Sequence, residues 1–220
     1  MAFHIDVVYV VDVSGSLAPH MDDVKDYVKS YVSELFRYGM DRGKQATKIR
    51  VRIITFGDLE ADAGPINATE FLTVLPADDV SRFESFVDAL KASGGGSEPE
   101  SGLEALAIAM SSDWTHEGDR QRHVIVVFTG SSAHALEDRG GAIPGQFTRQ
   151  APATIEELAL RWEEHRHFGK RLFIFATDVH PWSTIGENFE NTAFLPSMTK
   201  NWFESRVELD LMLQIAWLAI

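Results

Sequence analysis

The most distinctive feature of the sequence is a run of oxygen-bearing side chains, Asp-Val-Ser-Gly-Ser, at positions 12–16. It directly follows Val7–Val11, a continuous apolar and β-branched run that predicts a strand buried on both faces. Because the chain must turn at the end of that strand, Asp12, Ser14 and Ser16 are expected to face the same crevice. One carboxylate and two hydroxyls are hard oxygen donors of the kind that Mg²⁺, Mn²⁺ and Ca²⁺ select. The alternative is an ordinary turn in which these side chains only cap backbone amides.

A second candidate lies in the glycine-rich segment that ends in Ser-Glu-Pro-Glu at positions 97–100. Glycines allow the backbone to approach a ligand closely, and Pro99 suits the first position of a helix. A helix is therefore predicted over Pro99–Met110, with Glu100 in its first turn. The alternative for Glu100 is structural, because a negative charge near a helix N-terminus is stabilised by the helix dipole.

The elements that must position these residues alternate between strands and helices. Apolar runs predict six strands: Val7–Val11, Ile49–Phe56, Glu70–Leu75, His123–Phe128, Leu172–Ala176 and Asn191–Leu195. Helical spacing of apolar residues predicts helices over Val24–Phe36, Asp79–Leu90, Pro99–Met110, Ile155–Phe168 and Asn201–Ile220. This order predicts one doubly wound, Rossmann-like α/β domain spanning residues 1–220, with helices on both faces of a mostly parallel six-stranded sheet. The third strand follows the second too closely for a crossover helix, so it is predicted to pair antiparallel at an edge.

Composition excludes several classes of function. The 220 residues include 33 acidic and 20 basic side chains, so the formal net charge is −13. A surface of this sign is repelled by nucleic acids and anionic membranes but is compatible with cations. The absence of cysteine excludes disulfide scaffolds, zinc ribbons and thiol nucleophiles. With no apparent targeting signal and no apolar run of membrane-spanning length, a cytoplasmic protein is expected.

Taken together, these features resemble the von Willebrand factor A (vWA) domain, and the resemblance extends over essentially the whole chain. In that family an Asp-x-Ser-x-Ser motif after the first strand holds a divalent cation at a metal-ion-dependent adhesion site. The resemblance implies that Asp12, Ser14 and Ser16 serve this role here. Most members add a threonine from the glycine-rich loop, but the Pro99-Glu100 pair looks more like the integrin β-subunit version, in which a glutamate ligates the ion. The implied metal ligands are therefore Asp12, Ser14, Ser16 and Glu100, around one Mg²⁺, Mn²⁺ or Ca²⁺.

The sequence departs from the family pattern at one important position. Members usually have Thr-Asp after the fourth strand, whereas this chain has Thr129-Gly130, so a second aspartate is absent. Ser131 or a bridging water is the candidate replacement, and the affinity for the ion is expected to fall. Acidic residues for flanking ion sites are also missing, since Ser97 stands where an aspartate would be. At most one ion is predicted.

Other polar residues near the predicted crevice have simpler interpretations. Asp58, after the second strand, is expected to be a rim or turn residue rather than a ligand. Asp178, His180 and Trp182 follow the fifth strand and are expected in a solvated loop. Asp6, within the first strand, is expected to be buried and hydrogen-bonded.

Enzymatic motifs are not found. The phosphohydrolases of the haloacid-dehalogenase type need Asp-x-Asp, and here the second position is Ser14. The sequence contains no G-x-S-x-G nucleophile elbow, no G-x-x-x-x-G-K-[ST] phosphate loop and no H-E-x-x-H zinc motif. We therefore predict that the protein is not an enzyme, with a phosphohydrolase as the less favoured alternative.

The leading hypothesis is a protein-interaction module in which a partner's Asp or Glu completes the coordination of the cation. The segment Gly130–Pro152 leaves a central strand at the end where α/β sheets bind ligands, and would add contacts to that partner. The resemblance to intracellular bacterial vWA proteins implies a multi-protein system for stress or defence, or one built around AAA+ ATPases of the MoxR type. The alternative is a vWA scaffold whose site has lost its metal. Oligomeric state is left open.

Overall fold

The computed structural model describes residues 1–63, 65–94, 98–139, 152–165 and 169–196. Within these residues there are seven strands: β1 (Phe3–Asp12), β2 (Lys48–Phe56), β3 (Ile66–Ala68), β4 (Leu72–Leu75), β5 (Arg120–Thr129), β6 (Lys170–Ala176) and β7 (Thr192–Pro196). They form one sheet in the order β3-β2-β1-β5-β6-β7, and β4 also pairs with β2. Strands β2, β1, β5, β6 and β7 are parallel, whereas β3 and β4 run antiparallel to β2 along the same edge.

The predicted Rossmann-like α/β fold, with its mostly parallel sheet and antiparallel edge, is confirmed. The sequence predicts six strands and the described part of the chain has seven. The difference arises at the antiparallel edge, where Ile66–Ala68 forms a separate strand against the end of β2. Three residues are too few to show a periodic pattern. The strand predicted over Glu70–Leu75 begins at Leu72.

Helices cover both faces of the sheet, as expected. The helices are α1 (Met21–Asp41), α2 (Val80–Ala89), α3 (Gly102–Met110), α4 (Ile155–Glu164) and α5 (Trp182–Asn188). Val7, Tyr9 and Val11 of β1 pack with α1 and α2 on one face, whereas Val8 and Val10 pack with the other three helices. Alternate side chains of β1 therefore enter two separate cores, which is why its apolar run is continuous.

Two helix predictions need correction, and one helix is missed. The helix predicted from Pro99 begins at Gly102, and the one predicted to end at Phe168 ends at Glu164. Helix α5 is not predicted from the sequence because its seven residues are too few to show helical spacing. The final helix predicted over Asn201–Ile220 lies outside the described residues, so a single domain over 1–220 stays a prediction. Among the helices that are described, none combines the length and apolarity needed to cross a membrane.

A buried ion pair joins β1 to β2 at the end of the sheet where the parallel strands begin. The Asp6 side chain is fully buried, and its two oxygens accept hydrogen bonds from Nε and Nη2 of Arg50 at 2.8 and 2.6 Å. The backbone N–H of Thr115 also donates to Asp6, at 2.7 Å. The expectation that Asp6 is buried and hydrogen-bonded is confirmed.

Candidate metal centre

Asp12 is the last residue of β1, next to the ends of the parallel neighbours β2 and β5. Its side chain is fully buried. One oxygen accepts a hydrogen bond from the backbone N–H of Ser14 at 2.8 Å, and the other accepts one from the Thr129 hydroxyl at 2.8 Å. Asp12 therefore caps a backbone amide, as in an ordinary turn.

Three serine hydroxyls form a row beside Asp12. The Oγ atoms of Ser14 and Ser16 are 2.9 Å apart, and Ser131 Oγ donates to Ser16 Oγ at 2.8 Å. Ser14 and Ser131 are buried, whereas Ser16 is exposed. The middle member of the row, Ser16, is therefore the one that solvent reaches. Ser131, the candidate replacement for the missing aspartate, thus lies in direct contact with the predicted ligand Ser16.

Gly130 allows Ser16 to approach the end of β5. A Cβ atom at position 130 would lie 3.1 Å from Ser16 Oγ and 3.3 Å from Ser16 O. Both distances are shorter than ordinary van der Waals contacts, so any side chain here requires Ser16 to shift. The glycine that replaces the family's aspartate is therefore coupled to the position of the second serine of the motif.

Glu100 lies at the same site, but a backbone contact that the sequence does not predict holds it there. It precedes α3 instead of lying in its first turn, and it forms an isolated parallel bridge with Ala133. Its N–H donates to Ser132 O and its carbonyl accepts from His134 N–H, both at 3.0 Å. These bonds fix Glu100 beside the segment that follows β5.

The Glu100 carboxylate is buried without full hydrogen bonding. The residue is 3% exposed, and its Oε2 atom has no hydrogen-bond partner among the described residues. Burial raises the pKa of Glu100 to about 7, with further increases from the negative charges of Asp12 and Asp58 and a partial offset by Ser14. Burial also raises the pKa of Asp12, while hydrogen bonds from Ser14, Thr129 and Gly130 act in the opposite direction. Two carboxylates are thus held close together in a dry environment.

The start of the glycine-rich segment packs directly on the motif. Ser93 N–H donates to Val13 O at 2.7 Å, and Gly15 N–H donates to Gly94 O at 3.1 Å. Gly94 has φ +91°, and a Cβ atom there would lie 2.7 Å from an Asp62 carboxylate oxygen. Only glycine fits this position without strain. Ser97 lies outside the described residues.

The loop after β2 adds a third buried acid near the site. Asp58 is 6% exposed and accepts a hydrogen bond from Glu60 N–H at 2.9 Å, a contact typical of a turn residue. Its Oδ1 atom also lies 3.4 Å from Nε2 of His134. His134 was not singled out by the sequence, and no local pattern around it marks this contact.

The segment after β6 is only partly as expected. Asp178 and His180 are exposed, in agreement with a solvated loop. Trp182, however, is fully buried in α5, and its indole N–H donates to Ser131 O at 2.9 Å. The expectation of a solvated loop is wrong for Trp182, and the tryptophan anchors the backbone of one of the three serines.

The donor set fits a hard divalent cation. Two carboxylates and three hydroxyls converge, and the buried Glu100 oxygen without a partner is the atom that a cation would satisfy. No group of three or more His, Asp or Glu side chains with a metal-binding arrangement occurs in the described part of the chain. A site here therefore depends on serine oxygens, which suit Mg²⁺, Mn²⁺ or Ca²⁺.

Solved structures with the same fold include a matrix protein of the mussel byssus and a bacterial pilus adhesin. Two structures of proximal thread matrix protein 1 from the mussel byssus match with TM-scores of 0.52 and 0.55, and the second has a zinc-occupied MIDAS motif. The pilus adhesin SpaC from Lactobacillus rhamnosus GG matches with a TM-score of 0.57. Each is 11% identical over 98% of this chain, which covers 46%, 46% and 31% of the respective neighbours. At this identity the likeness shows the fold alone, and the chain spans less than half the length of these proteins.

The family is shown by the sequence itself. A search of curated proteins finds no match. Residues 7–132, more than half of the chain, match the family model of the von Willebrand factor type A domain. This range contains the Asp12 motif, Glu100 and Ser131, and the fold described above has the corresponding architecture. The chain belongs to the von Willebrand factor type A family, whose domains are protein-interaction modules.

Proposed function

We propose that this domain binds a protein partner through a divalent cation held by Asp12, Ser14, Ser16 and Glu100. The observation that carries the proposal is the Glu100 Oε2 atom, which is buried beside Asp12 without a hydrogen-bond partner among the described residues. Burying a charged oxygen without a partner is costly, and a cation removes that cost. Four protein oxygens leave two positions of an octahedral ion open.

The partner supplies an Asp or Glu side chain to one of the open positions. A carboxylate is a strong and directional ligand for a hard cation, and the cation supplies Lewis acidity toward it. The protein's own residues orient the site: Thr129 and the Ser14 amide fix Asp12, and Trp182 fixes the backbone of Ser131. The excess of acidic residues, 33 against 20 basic ones, favours a protein partner over nucleic acid or an anionic membrane.

The identity of the cation is proposed on chemical grounds, and the cellular system is proposed from the family resemblance. Mg²⁺ is the favoured ion, with Mn²⁺ and Ca²⁺ as alternatives that share its preference for oxygen. One structural neighbour carries zinc in its MIDAS motif, which supports a divalent cation as a class. A cytoplasmic role in a bacterial MoxR-type or defence system, and the absence of enzymatic activity, stay predictions.

A second candidate is a metal-free scaffold of the same fold. Two observations favour it: Gly130 removes one acidic ligand, and the hydroxyls of Ser14, Ser16 and Ser131 hydrogen-bond to one another. In this case the serine row is a closed polar network that needs no ion. The two candidates make opposite predictions about titration with a cation.

Isothermal titration with Mg²⁺ and Mn²⁺ tests the proposal directly. We expect saturable heat at millimolar or lower ion concentration for the wild type and its loss in Asp12→Asn. Asp178→Asn, which removes an exposed carboxylate at the same end of the sheet, is the matched control and should bind as the wild type does. Absence of heat and of a thermal shift in the wild type would establish the scaffold instead.

Partner capture then tests the role of the ion. Proteins that are retained in Mg²⁺ and released by EDTA, and that do not bind Asp12→Asn, support a metal-mediated contact. Equal capture in all three conditions would remove the metal from the mechanism.

A further inference from the structure

A buried arginine lies at the opposite end of the sheet from the candidate metal centre. Arg122 is the third residue of β5, and it pairs with Ile5 near the start of β1. Asp12 is seven residues further along β1, so the two sites are separated by about 23 Å. Arg122 lies on the same face of β5 as Val124 and Val126, toward α1.

Two hydrogen-bond donors of the Arg122 guanidinium have no acceptor among the residues that the structure describes. The residue is 1% exposed, and these donors are Nε and Nη1. No ion pair between Arg122 and an acidic side chain occurs within the described ranges. Burial lowers the pKa of Arg122 to about 10, with a further decrease from the positive charge of Arg171. Arg122 nevertheless remains charged at neutral pH.

Two polar side chains lie near Arg122, those of Tyr31 and Arg171. The Tyr31 hydroxyl, on α1, interacts electrostatically with Arg122 and is fully buried. It has no hydrogen-bond partner in the described part of the chain. Arg171, on the neighbouring strand β6, is 7% exposed and donates from Nη1 to Lys170 O and Asn191 Oδ1. A buried guanidinium and a buried phenol therefore lie together, each with a donor that no described residue accepts. A guanidinium has donors only, so Arg122 requires an acceptor that carries negative charge.

We propose that Arg122 and Tyr31 form a binding site for one small inorganic anion, with chloride as the physiological candidate. A water molecule would satisfy donors but would leave the charge of Arg122 uncompensated in the core. A compact monovalent anion accepts from Nε, Nη1 and the phenol while compensating that charge. The site stabilises the folded domain and is independent of the cation site.

Thermal unfolding in chloride and in gluconate tests this site. The ionic strength must be the same in both salts, because screening stabilises a protein of charge −13 in any salt. We expect the Tm of the wild type to be roughly 3–6 °C higher in saturating chloride. Arg122→Met, which keeps the bulk of the side chain without its charge, should abolish this difference. Tyr31→Phe should reduce it.

Arg52→Met is the matched control. Arg52 is a half-buried arginine that donates to Thr69 O and Ser112 Oγ, and its replacement should leave the chloride effect intact. If Arg122→Met does not fold, a bromide-soaked crystal of the wild type provides the readout. An anomalous peak beside Arg122 supports the site. An empty position, or a Tm that is equal in chloride and gluconate, overturns the proposal.

Discussion

Replacing Glu100 by glutamine separates two effects of the carboxylate that is buried beside Asp12. The carboxylate destabilises the metal-free fold when it is ionised, and it is a proposed ligand of the cation. In the metal-free protein, burial and the charges of Asp12 and Asp58 raise the Glu100 pKa from 4.5 to about 7. At about 1.4 kcal/mol per pKa unit, ionising Glu100 at high pH costs the folded state roughly 3 kcal/mol. The glutamine amide carries no charge but is itself removed from water. We therefore expect Glu100→Gln to raise the free energy of unfolding at pH 8 by about 1–2 kcal/mol.

The pH dependence of this effect has a fixed direction. The folded-state pKa of Glu100 lies above its unfolded value, so its favourable contribution is fully present below pH 4.5 and is lost as pH rises through about 7. The two proteins should have nearly equal stability at pH 5 and diverge by pH 8 in favour of the variant. Saturating Mg²⁺ reverses the order, because an ion at 100 times its Kd stabilises the wild type by about 2.7 kcal/mol and the variant lacks a ligand.

Urea unfolding at pH 5 and pH 8, in EDTA and in Mg²⁺, measures all four combinations. Glu98→Gln is the control, since Glu98 is exposed two residues away and its replacement should change none of them. The reasoning would be refuted if Glu100→Gln were less stable than the wild type in EDTA at pH 8. It would also be refuted if Mg²⁺ stabilised both proteins equally.

Three further predictions concern single contacts. Gly130→Ala should cost about 1–2 kcal/mol, because its Cβ would lie 3.1 Å from Ser16 Oγ. Gly15→Ala, whose Cβ would lie 3.5 Å from the nearest atom, should stay within about 0.5 kcal/mol in the same thermal melts. Ser16→Ala should abolish the heat of Mn²⁺ binding while changing the unfolding free energy by less than about 1 kcal/mol, and retained heat would exclude Ser16 as a ligand. Asp6→Ala should lower the unfolding free energy in urea by about 3 kcal/mol by leaving Arg50 unpaired, and Arg50→Met in the same chain should restore part of it.

Most of the sheet could be predicted because the residue types of each long strand show which of its faces are buried. Val7–Val11 and Leu172–Ala176 are apolar on both faces, and each lies inside a strand buried on both faces. Strand β3 is not predicted from the sequence, because Ile66–Ala68 has no pattern of its own and is defined by its partner β2. Long buried strands can thus be predicted from their local sequence, whereas short edge strands depend on tertiary pairing.

The candidate site also has a part that local sequence predicts and a part that depends on tertiary contacts. Asp12, Ser14 and Ser16 are within five residues of one another, so the turn after β1 alone brings them together. Glu100 was assigned to a helical turn because Pro99 suits a helix start, but its backbone bonds to Ser132 and His134 instead. Those partners are more than 30 residues away in sequence, and no local signal encodes them. The same holds for the Trp182 indole, which bonds to Ser131.

The divided edge of the sheet has a consequence for the behaviour of the domain in concentrated solution. Beyond β2, the sheet ends in β3 and β4, which have three and four residues. Strand β4 meets β2 with a register shift between Ile49 and Arg50. On this side, the described strands offer no long straight row of unpaired backbone amides and carbonyls with which a strand of another molecule could pair. This margin of the domain therefore resists strand-by-strand growth into fibres, even though the parallel strands behind it are among the most apolar segments of the sequence.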